Sequence, residues 1–398
     1  MLVLMLVSLH GSVVAFLASV GGADQSSSMI EVLGRPAIAY GRPAADLRFA
    51  IATSPFGVDF GDFDVLVDNG VSTLAVIDTA LVNGHPAIAF VQGSAVRFIR
   101  ASTPDGSTWP LDGGTLVTQD PANPTAVFGE CLSLAVIDGI PAITFSKRVS
   151  GVRTLHYIRS LNVFGSSWVS GTVRNVSLDS GSGKWCSMVE LPGSIPGIAF
   201  TTSDMLTPLQ YTAGLDADGT TFGAVEVLSA DVDAASDLTL VGTTPIPAIS
   251  WVKGDQLRYA YPSVGSWVNT LVYEDATSNL LPQCALVDQG AGNGPAILFG
   301  SNLGQLLYTK SDSEYGTSWA YGTVFLTASV DNVGPYSLEM VGGVPAVSYH
   351  DATSFDVFYD QVLSVVDGGG SSSVTISRAG LAGQNILQVD IDGYVNAV

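Results

Sequence analysis

The sequence contains little positive charge. Of its 398 residues, 15 are Lys or Arg and 36 are Asp or Glu, which gives a formal net charge of −21 at pH 7. A protein that binds nucleic acid carries a basic footprint opposite the phosphates, and an anionic membrane surface attracts basic segments. The charge balance therefore predicts no nucleic-acid partner and disfavours an anionic membrane surface. An acidic surface of this kind mainly favours solubility.

Cysteine and histidine are also scarce. The three cysteines, Cys131, Cys186 and Cys284, form no CxxC pair, and an odd number of isolated cysteines excludes a disulfide-built scaffold and a zinc ribbon. Each cysteine lies at the same point of the repeat described below, so we interpret all three as small buried packing residues. The four histidines fall at different repeat positions, which suggests no metal triad.

Motifs for cofactors and for helices are missing as well. The sequence has no Gly-rich phosphate loop, nucleophile elbow or HExxH pair, and no amphipathic helix of useful length. Acidic loops at 59–64 and 231–233 make calcium conceivable, but their spacing is not that of an EF-hand. The prediction is therefore an all-β protein with no cofactor, no metal ligands and no catalytic residues.

The sequence does contain one motif that is repeated seven times. The motif is Pro-Ala-Ile-x-aromatic or a close variant of it, where x is any residue. The prolines lie at positions 36, 86, 141, 196, 247, 295 and 345, so successive copies are 50, 55, 55, 51, 48 and 50 residues apart. A constant period of about 50 residues is typical of a propeller or a solenoid. The repeat therefore decides the fold class.

Each repeat has the pattern of four short strands. In the third copy the strands are predicted at 133–137, 142–145, 155–159 and 169–176, and Asp138-Gly139 is a strong hairpin signal between the first two. Proline lacks a backbone N–H, but at the start of the second strand the missing hydrogen bond weakens the sheet little. Four antiparallel strands in each of seven repeats predict a seven-bladed β-propeller.

The ends of the chain suggest how the ring closes. The last repeat lacks a fourth strand, whereas residues 12–17 precede the first repeat at the spacing of one. We predict that segment 1–28 completes the last blade, that 29–363 forms the propeller, and that 364–398 is a Gly/Ser linker with a β-rich tail. Three alternatives remain: a signal segment over residues 1–20, a degenerate eighth blade, and a tail that assembles with other copies or packs on its own propeller.

Two resemblances accompany these patterns. Segment 333–359 resembles repeats of uncharacterised secreted or surface proteins, which implies a propeller and leaves activity open. Segment 103–109, Thr-Pro-Asp-Gly-Ser-Thr-Trp, is similar to the Asp-box turn of sialidase-like propellers, with weaker copies at 162–168, 216–222, 263–267 and 313–319. The resemblance implies a structural role in turns and inter-blade packing for Asp105, Gly106, Trp109, Gly165, Trp168, Trp267, Gly316 and Trp319.

The likeness to sialidases also allows a catalytic hypothesis. Such enzymes need three arginines, a Tyr/Glu pair and an acid at the ring centre, whereas Arg48, Arg97 and Arg258 recur within third strands, where we expect solvated side chains. We therefore predict a non-catalytic protein of the extracellular space, a cell surface, a virion or an appendage, acting in binding and assembly. The alternative is a sialidase-like glycan-active enzyme or a glycan-binding lectin, which arginines and carboxylates converging at the ring centre would support.

One loop stands out as a candidate ligand site. Segment 146–153 contains Lys147, Arg148 and Arg153, the one basic cluster of an acidic sequence, and variable loops on a constant scaffold are where repeat proteins bind ligands. His350-Asp351 is the one neighbouring His/acid pair. The expected partners are a protein or a second copy, for which the C-terminal tail is the candidate contact, with a glycan as a further option.

Overall fold

The computed structural model describes residues 27–42, 46–57, 59–66, 74–110, 112–120, 126–169, 174–177, 182–202, 207–232, 236–275, 279–290, 292–319, 323–327, 336–350, 357–362, 366–368, 371–375, 388–391 and 395–396. Over these residues the regular elements are strands. None of them forms a helix long and apolar enough to cross a membrane. The predicted all-β class is confirmed.

The strands group into seven blades whose members pair antiparallel in chain order. The first three blades contain β1 Ser27–Val32, β2 Arg35–Arg42, β3 Asp46–Ala52 and β4 Phe60–Leu66; β5 Leu74–Val82, β6 His85–Gln92, β7 Ala95–Arg100 and β8 Thr115–Gln119; and β9 Val127–Ile137, β10 Ile140–Val149, β11 Val152–Arg159 and β12 Arg174–Ser177. The next two contain β13 Ser182–Leu191, β14 Ile195–Thr202, β15 Thr207–Ala213 and β16 Glu226–Val232; and β17 Ser236–Val241, β18 Ile246–Lys253, β19 Gln256–Ser263 and β20 Ser266–Glu274.

The last two blades complete the ring. Blade 6 contains β21 Leu280–Asp288, β22 Pro295–Ser301, β23 Gln305–Lys310 and β24 Thr323–Thr327, and blade 7 contains β25 Tyr336–Val341, β26 Val344–His350 and β27 Val357–Gln361. A further sheet follows, with β28 Val366–Gly368, β29 Ser371–Thr375, β30 Gln388–Ile391 and β31 Val395–Asn396, so two strands occupy the segment predicted to be a linker. Seven antiparallel blades confirm the predicted propeller.

The first strand of every blade lines the centre of the ring. Each first strand contacts the first strand of the next blade, and β25 of blade 7 contacts β1 of blade 1. Two hydrogen bonds reinforce this last junction: the Gly342 amide donates to Glu31 (2.7 Å), and Gln361 Nε2 donates to the Pro55 carbonyl (3.0 Å). The predicted fourth strand of blade 7, residues 12–17, lies outside the described residues, so closure by the N-terminus stays a prediction.

Antiparallel pairing gives the ring two distinct faces. We call the side with the turns between first and second strands, and between third and fourth strands, the hairpin face; the opposite side is the loop face. On the hairpin face Asp138 and Gly139 both have positive φ, 52° and 72°. That geometry is the type I′ turn, whose twist matches the flanking strands, and Asp-Gly adopts it readily. The sequence signal at this hairpin was therefore correct.

Aromatic pairs pack neighbouring blades together. In six interfaces an aromatic residue of one blade's third strand contacts an aromatic residue of the following blade. The ring centroids are 4.9–5.8 Å apart in Phe49–Trp109, Phe98–Trp168, Tyr157–Phe222, Tyr211–Trp267, Tyr259–Trp319 and Tyr359–Phe60. Each such pair contributes about 0.5–1.5 kcal/mol beyond the apolar area that it buries. The last pair joins blade 7 to blade 1.

Two of the cysteines are not the packing residues that the sequence suggested. Cys131 of β9 and Cys186 of β13 form a disulfide with a Cα–Cα distance of 5.7 Å, which joins blades 3 and 4. The prediction was wrong because equivalent positions of adjacent repeats, 55 residues apart in sequence, become neighbours when their first strands lie side by side. Cys284 is buried and free, with its sulfur 3.3 Å from Ser250 Oγ.

Candidate functional site at the ring centre

The repeated proline gives the seven inner strands a common register. In each blade one residue of the first strand pairs directly with that proline, and we call these the anchor residues: Glu31, Leu81, Val136, Glu190, Leu240, Asp288 and Met340. All of them lie near the hairpin face, because the turn to the second strand follows shortly after. Side chains of different blades can therefore be compared by the number of residues that separate each of them from the anchor residue of its own strand.

Three residues before the anchor, polar side chains tie each blade to the next. We call this set the acceptor level: Ser28, Asp78, Ser133, Ser187, Asp237, Ala285 and Ser337. Asp78 accepts hydrogen bonds from the Leu134 amide of the next blade (2.7 Å) and from Ser28 Oγ of the preceding blade (3.0 Å). Its carboxyl thus bridges three consecutive blades.

Asp237 repeats this arrangement on the other side of the ring. It accepts hydrogen bonds from the Leu286 amide of blade 6 (2.8 Å) and from Ser187 Oγ of blade 4 (3.0 Å). Ser133 makes the simpler version of the same contact, since its Oγ accepts from the Met188 amide (3.2 Å). The acceptor level is therefore structural in part, and its two carboxylates are held in fixed positions.

The acidic anchor residues join blades at the hairpin face. Glu31 accepts from the Gly342 amide of the preceding blade, and Glu190 accepts from the Asp138 amide (2.8 Å). Asp288 accepts from the Gly242 amide in the same way. Each of these hydrogen bonds links the first strand of one blade to the first hairpin of the preceding blade. These three side chains thus have a structural explanation.

Glu339 has no such explanation. It lies one residue before its anchor, where the other blades have Ile30, Ala80, Ala135, Val189, Thr239 and Val287. Its side chain is half-buried, and among the described residues no hydrogen-bond donor contacts its carboxyl. Burial raises the pKa of Glu339 to about 8, helped by the negative charges of Asp237, Asp78 and Glu31. A carboxyl in these surroundings is predominantly protonated at pH 7.

The ring centre therefore brings together carboxyl groups in different protonation states. Burial raises the pKa of Asp78 to about 6, against the opposing effect of its hydrogen bonds, and burial also raises the pKa of Asp237. At pH 7 Asp78 is mostly ionised, whereas Glu339 holds its proton. Carboxyls whose surroundings separate their pKa values are the usual source of paired acid and base groups in enzymes. The convergence of these carboxyls is not visible in the sequence, although Glu339 does stand where the other repeats have an uncharged residue.

The predicted basic loop is neutralised. Lys147 pairs with Asp120 (2.5 Å), Arg148 pairs with Glu130 (3.1 Å), and Arg153 also contacts Glu130. Arg153 is only 3% exposed, so its guanidinium belongs to the interior. The three predicted side chains do lie together, but their positive charges are paired with two acids that precede them in the chain.

The other predicted ligand residues belong to a different blade or lie outside the described residues. His350 ends strand β26 of blade 7, where its backbone pairs with Val357, and Asp351 lies outside the described residues. Within the described part, no group of three or more His, Cys, Asp or Glu side chains could hold a metal ion. A ligand role for His350 and Asp351 therefore stays a prediction.

The residues predicted for turns lie between blades, away from the ring centre. Asp105 Oδ1 accepts from the Ser107 amide (3.1 Å), and hydrogen bonds of this turn lower the pKa of Asp105. Gly106 has φ of 71°, and a Cβ there would overlap the Phe49 ring. The indole N–H groups of Trp109, Trp168 and Trp319 donate at 2.7–2.8 Å to the carbonyls of Gly106, Gly165 and Gly316, whereas Trp267 donates to Glu226 (2.9 Å).

The arginines of the third strands also lie away from the ring centre. Arg48 pairs with Asp62 at 2.6 Å. Arg97 donates to the Gly113 carbonyl (3.3 Å) and Arg258 to Gln256 Oε1 (2.7 Å). No described residue of the seven inner strands is an arginine. The part of the chain that the structure describes therefore has carboxyls at the ring centre without the arginine cluster of a sialidase.

A groove of about 480 Å³ lies at the periphery, between the outermost strand of blade 5 and a turn of blade 6. It is lined by Tyr273 and Glu274 of β20 and by Thr317 and Trp319 of blade 6, among others. The Tyr273 ring packs on Phe299 (5.1 Å between centroids), and Glu274 accepts from Gln256 Nε2 (2.7 Å). The groove thus combines aromatic surface with a carboxylate and hydroxyl groups.

Comparison with known proteins identifies the architecture. No protein-family model and no curated protein matches the chain. Among solved structures, the fold is similar to a polysaccharide lyase of family PL25, an ulvan lyase bound to -[GlcA(1-4)Rha3S]-, with a TM-score of 0.51, 11% identity, and coverage of 87% of this chain and 96% of that one. The Aleuria aurantia lectin has a TM-score of 0.43, 17% identity, and coverage of 76% and 96%. The Trypanosoma rangeli sialidase has a TM-score of 0.48, 9% identity, and coverage of 86% and 55%.

These comparisons correct the leading functional prediction. A polysaccharide lyase on a similar fold contradicts the expectation of a non-catalytic binding and assembly protein, and it contradicts the expectation of no enzyme. The prediction failed because the carboxyls of the inner strands converge only once seven blades close into a ring, and this convergence is not visible in the sequence.

Proposed function

We propose that this protein is a glycan-active enzyme whose site is the ring centre, with Glu339 as the proton donor. The observation that carries the proposal is the Glu339 carboxyl itself: half-buried, without a hydrogen-bond donor among the described residues, and with a pKa raised to about 8. A general acid for glycosidic cleavage has to hold its proton at neutral pH, and a raised pKa is how such carboxyls do so.

The reaction that fits these groups is hydrolysis of a glycosidic bond. Glu339 donates its proton to the bridging oxygen as the bond from the anomeric carbon to that oxygen breaks. The ionised carboxylate of Asp78, in the acceptor level, stabilises the positive charge that develops on the sugar ring and takes a proton from the attacking water. Its hydrogen bonds to the two neighbouring blades hold this carboxylate in place for the role.

Hydrolysis agrees with the site better than elimination does. A lyase that cleaves next to a uronic acid has to neutralise the carboxylate of its substrate, for which a cation is the usual means. In the described residues the inner strands contribute a single cation, Lys184, at the loop-face start of β13. The similarity to an ulvan lyase therefore supports the fold and a polysaccharide substrate, and the residues themselves favour a different bond-breaking step.

The test is a cleavage assay on a panel of polysaccharides, with release of reducing ends as the readout. Glu339→Gln keeps the shape and removes the proton donor, so we expect a rate loss on the order of 10²–10⁴-fold. Glu226→Gln is the matched control, since Glu226 is exposed on the outermost strand β16. Full activity of Glu339→Gln, or no cleavage of any glycan by the wild type, would refute the proposal.

A second candidate function is carbohydrate binding at the peripheral groove. The observation in its favour is the combination of the Tyr273 and Trp319 rings with the Glu274 carboxylate, because apolar sugar faces pack on aromatic rings and hydroxyls donate to carboxylates. Tyr273→Ala should then weaken glycan binding without changing the rate of cleavage of a short substrate. Unchanged binding by this variant would remove the groove from consideration.

The type of the inter-blade turns and the cellular location of the protein are also proposals. The turns that carry Trp109, Trp168 and Trp319 are proposed to be degenerate Asp-boxes, which their indole-to-carbonyl hydrogen bonds support. An extracellular location is proposed because disulfides persist in oxidising compartments, and Cys131–Cys186 is such a bond. Ligand contacts by Lys147, Arg148 and His350 stay predictions.

A further inference from the structure

Every inner strand carries one carboxyl side chain. These are Glu31, Asp78, Glu130, Glu190, Asp237, Asp288 and Glu339, one from each of the seven first strands. Two of them, Asp78 and Asp237, share the acceptor level, and Glu339 lies two residues, or about 7 Å along the strand, closer to the hairpin face. Glu130 is paired with Arg148 and Arg153, and Glu339 holds its proton, so the charge that a ligand at the ring centre meets comes from the acceptor level, where no described cation pairs with Asp78 or Asp237.

Cations that could offset these charges are held elsewhere. Every arginine in the described residues belongs to a second, third or fourth strand. Arg100 Nε donates to the Val82 carbonyl (2.9 Å), and Arg159 donates to the Ile137 carbonyl (2.9 Å) and pairs with Asp218 (2.5 Å). Recognition of a sugar carboxylate or sulfate relies on such groups, above all on the two-pronged contact of arginine.

Lys184 is too far along its strand to replace them. It lies three residues before Ser187 of the acceptor level, about 10 Å toward the loop face at the usual strand rise. Its backbone therefore lies nearer the loop face than the backbone of Glu339 and of the acceptor level.

We infer that the glycan accepted by the ring centre carries no acidic group, and that a protonated amino sugar binds more tightly than its neutral counterpart. This inference rests on the proposed function and specifies its substrate class. The physical reason is the repulsion between a substrate carboxylate and two carboxylates whose positions are fixed by the fold. An ammonium group at the same place meets the opposite field.

The experiment measures binding of the full chain carrying Glu339→Gln, which retains the uncharged side chain and does not cleave. The probes are oligosaccharides that display each of several backbones in neutral, amino and carboxylated forms, such as β-1,4-linked glucose, glucosamine and glucuronic acid. We expect the amino form to bind most tightly and the carboxylated form at least tenfold more weakly than the neutral one. The differences should shrink as salt is raised.

A second pair of variants assigns the preference to the ring centre. Asp78→Asn with Asp237→Asn keeps an amide oxygen to accept the Leu134 and Leu286 N–H groups, and it removes both charges. The preference should then fall severalfold, whereas Glu226→Gln, which removes one charge at the outer rim, should leave it intact.

The outcomes separate this inference from the proposed function. Equal or tighter binding of carboxylated forms, with glycan cleavage by the wild type, would overturn the inference alone. A preference that survives the double Asn variant would also overturn it, since the preference would then come from the general surface charge. Absence of both binding and cleavage for every glycan would overturn the proposed function and the inference together.

Discussion

At the scale of single residues, the two kinds of carboxyl at the ring centre predict a bell-shaped pH dependence. Cleavage needs protonated Glu339, whose pKa is raised to about 8, and an ionised carboxylate such as Asp78, whose pKa is raised to about 6. The rate should therefore fall below about pH 6 and above about pH 8. The measurement is kcat/KM from pH 4 to 10. A rate that continues to rise through pH 9 would contradict the role of Glu339.

The same side chain should also shape the stability of the fold. Burial raises the folded-state pKa of Glu339 from the ordinary 4.5 to about 8, so the folded state binds a proton that the unfolded state releases. Its favourable contribution is complete below about pH 4.5 and is lost as pH rises through about 8. Glu339→Gln cannot ionise, so its melting temperature should match the wild type at pH 4 and exceed it at pH 9.

The control for this prediction is Glu226→Gln, measured over the same pH range. Glu226 is exposed, and the amide oxygen of glutamine can still accept from the Trp267 indole, so this variant should shift the melting temperature little. A Glu339→Gln variant that is less stable than the wild type at pH 9 would show that the carboxylate has a stabilising partner.

The sequence also shows what can be predicted for single residues. It revealed the basic cluster of Lys147, Arg148 and Arg153, because neighbours in sequence stay neighbours in a hairpin. It could not reveal that Glu130 and Asp120 neutralise this cluster, since their approach depends on the position of other strands. Glu339 is the one acid among uncharged equivalents in the sequence, but its surroundings become known only from the closed ring.

At the scale of elements, hairpin turns and second strands were predictable, and strand ends were not. The third blade shows the difference: β9 begins at Val127, six residues before the predicted start, and β12 covers Arg174–Ser177, with 170–173 of the predicted fourth strand outside the described residues. An irregularity opposite Phe145 and Lys147 accompanies the extension of β9 beyond Cys131.

The disulfide between β9 and β13 gives a prediction at this scale. Replacing both cysteines, Cys131→Ala with Cys186→Ala, should lower the free energy of unfolding by about 2–4 kcal/mol, because the cross-link restricts the unfolded chain. The measurement is denaturant unfolding of both proteins with and without reductant. Reductant should destabilise only the wild type, and Cys284→Ala is a control that leaves the cross-link in place. Equal sensitivity of both proteins to reductant would exclude a stabilising bond.

At the scale of the whole molecule, the repeat was enough to predict the architecture. A period near 50 residues, four strands per period and seven copies leave few alternatives to a seven-bladed ring. Function could not be predicted in the same way. The carboxyl groups that support the proposed function belong to residues that differ from their equivalents in the other repeats. They lie on different blades, and their separation in sequence does not show that they come together at the ring centre.

Closure of the ring makes a final prediction. In an open array of repeats the terminal units contact one neighbour and are more easily lost, whereas in a ring every blade has two. The Tyr359–Phe60 pair and the Gln361–Pro55 hydrogen bond show that the junction between blades 7 and 1 has the same kind of contacts as the interior junctions. Tyr359→Ala should therefore cost about 3–5 kcal/mol, the usual loss for a buried aromatic residue, and unfolding should remain one transition.

The matched control for this closure is Tyr211→Ala, which removes the equivalent aromatic residue between blades 4 and 5, where it packs on Trp267. Equal destabilisation by the two variants, measured by denaturant unfolding with fluorescence and circular dichroism, is the result expected of a closed ring. If blade 7 were instead a loosely attached end, Tyr359→Ala would cost far less than Tyr211→Ala. It would also release blade 7 in a separate, earlier transition, and a carboxyl on that blade would then be a poor candidate for catalysis, since Glu339 depends on the closed ring for its surroundings.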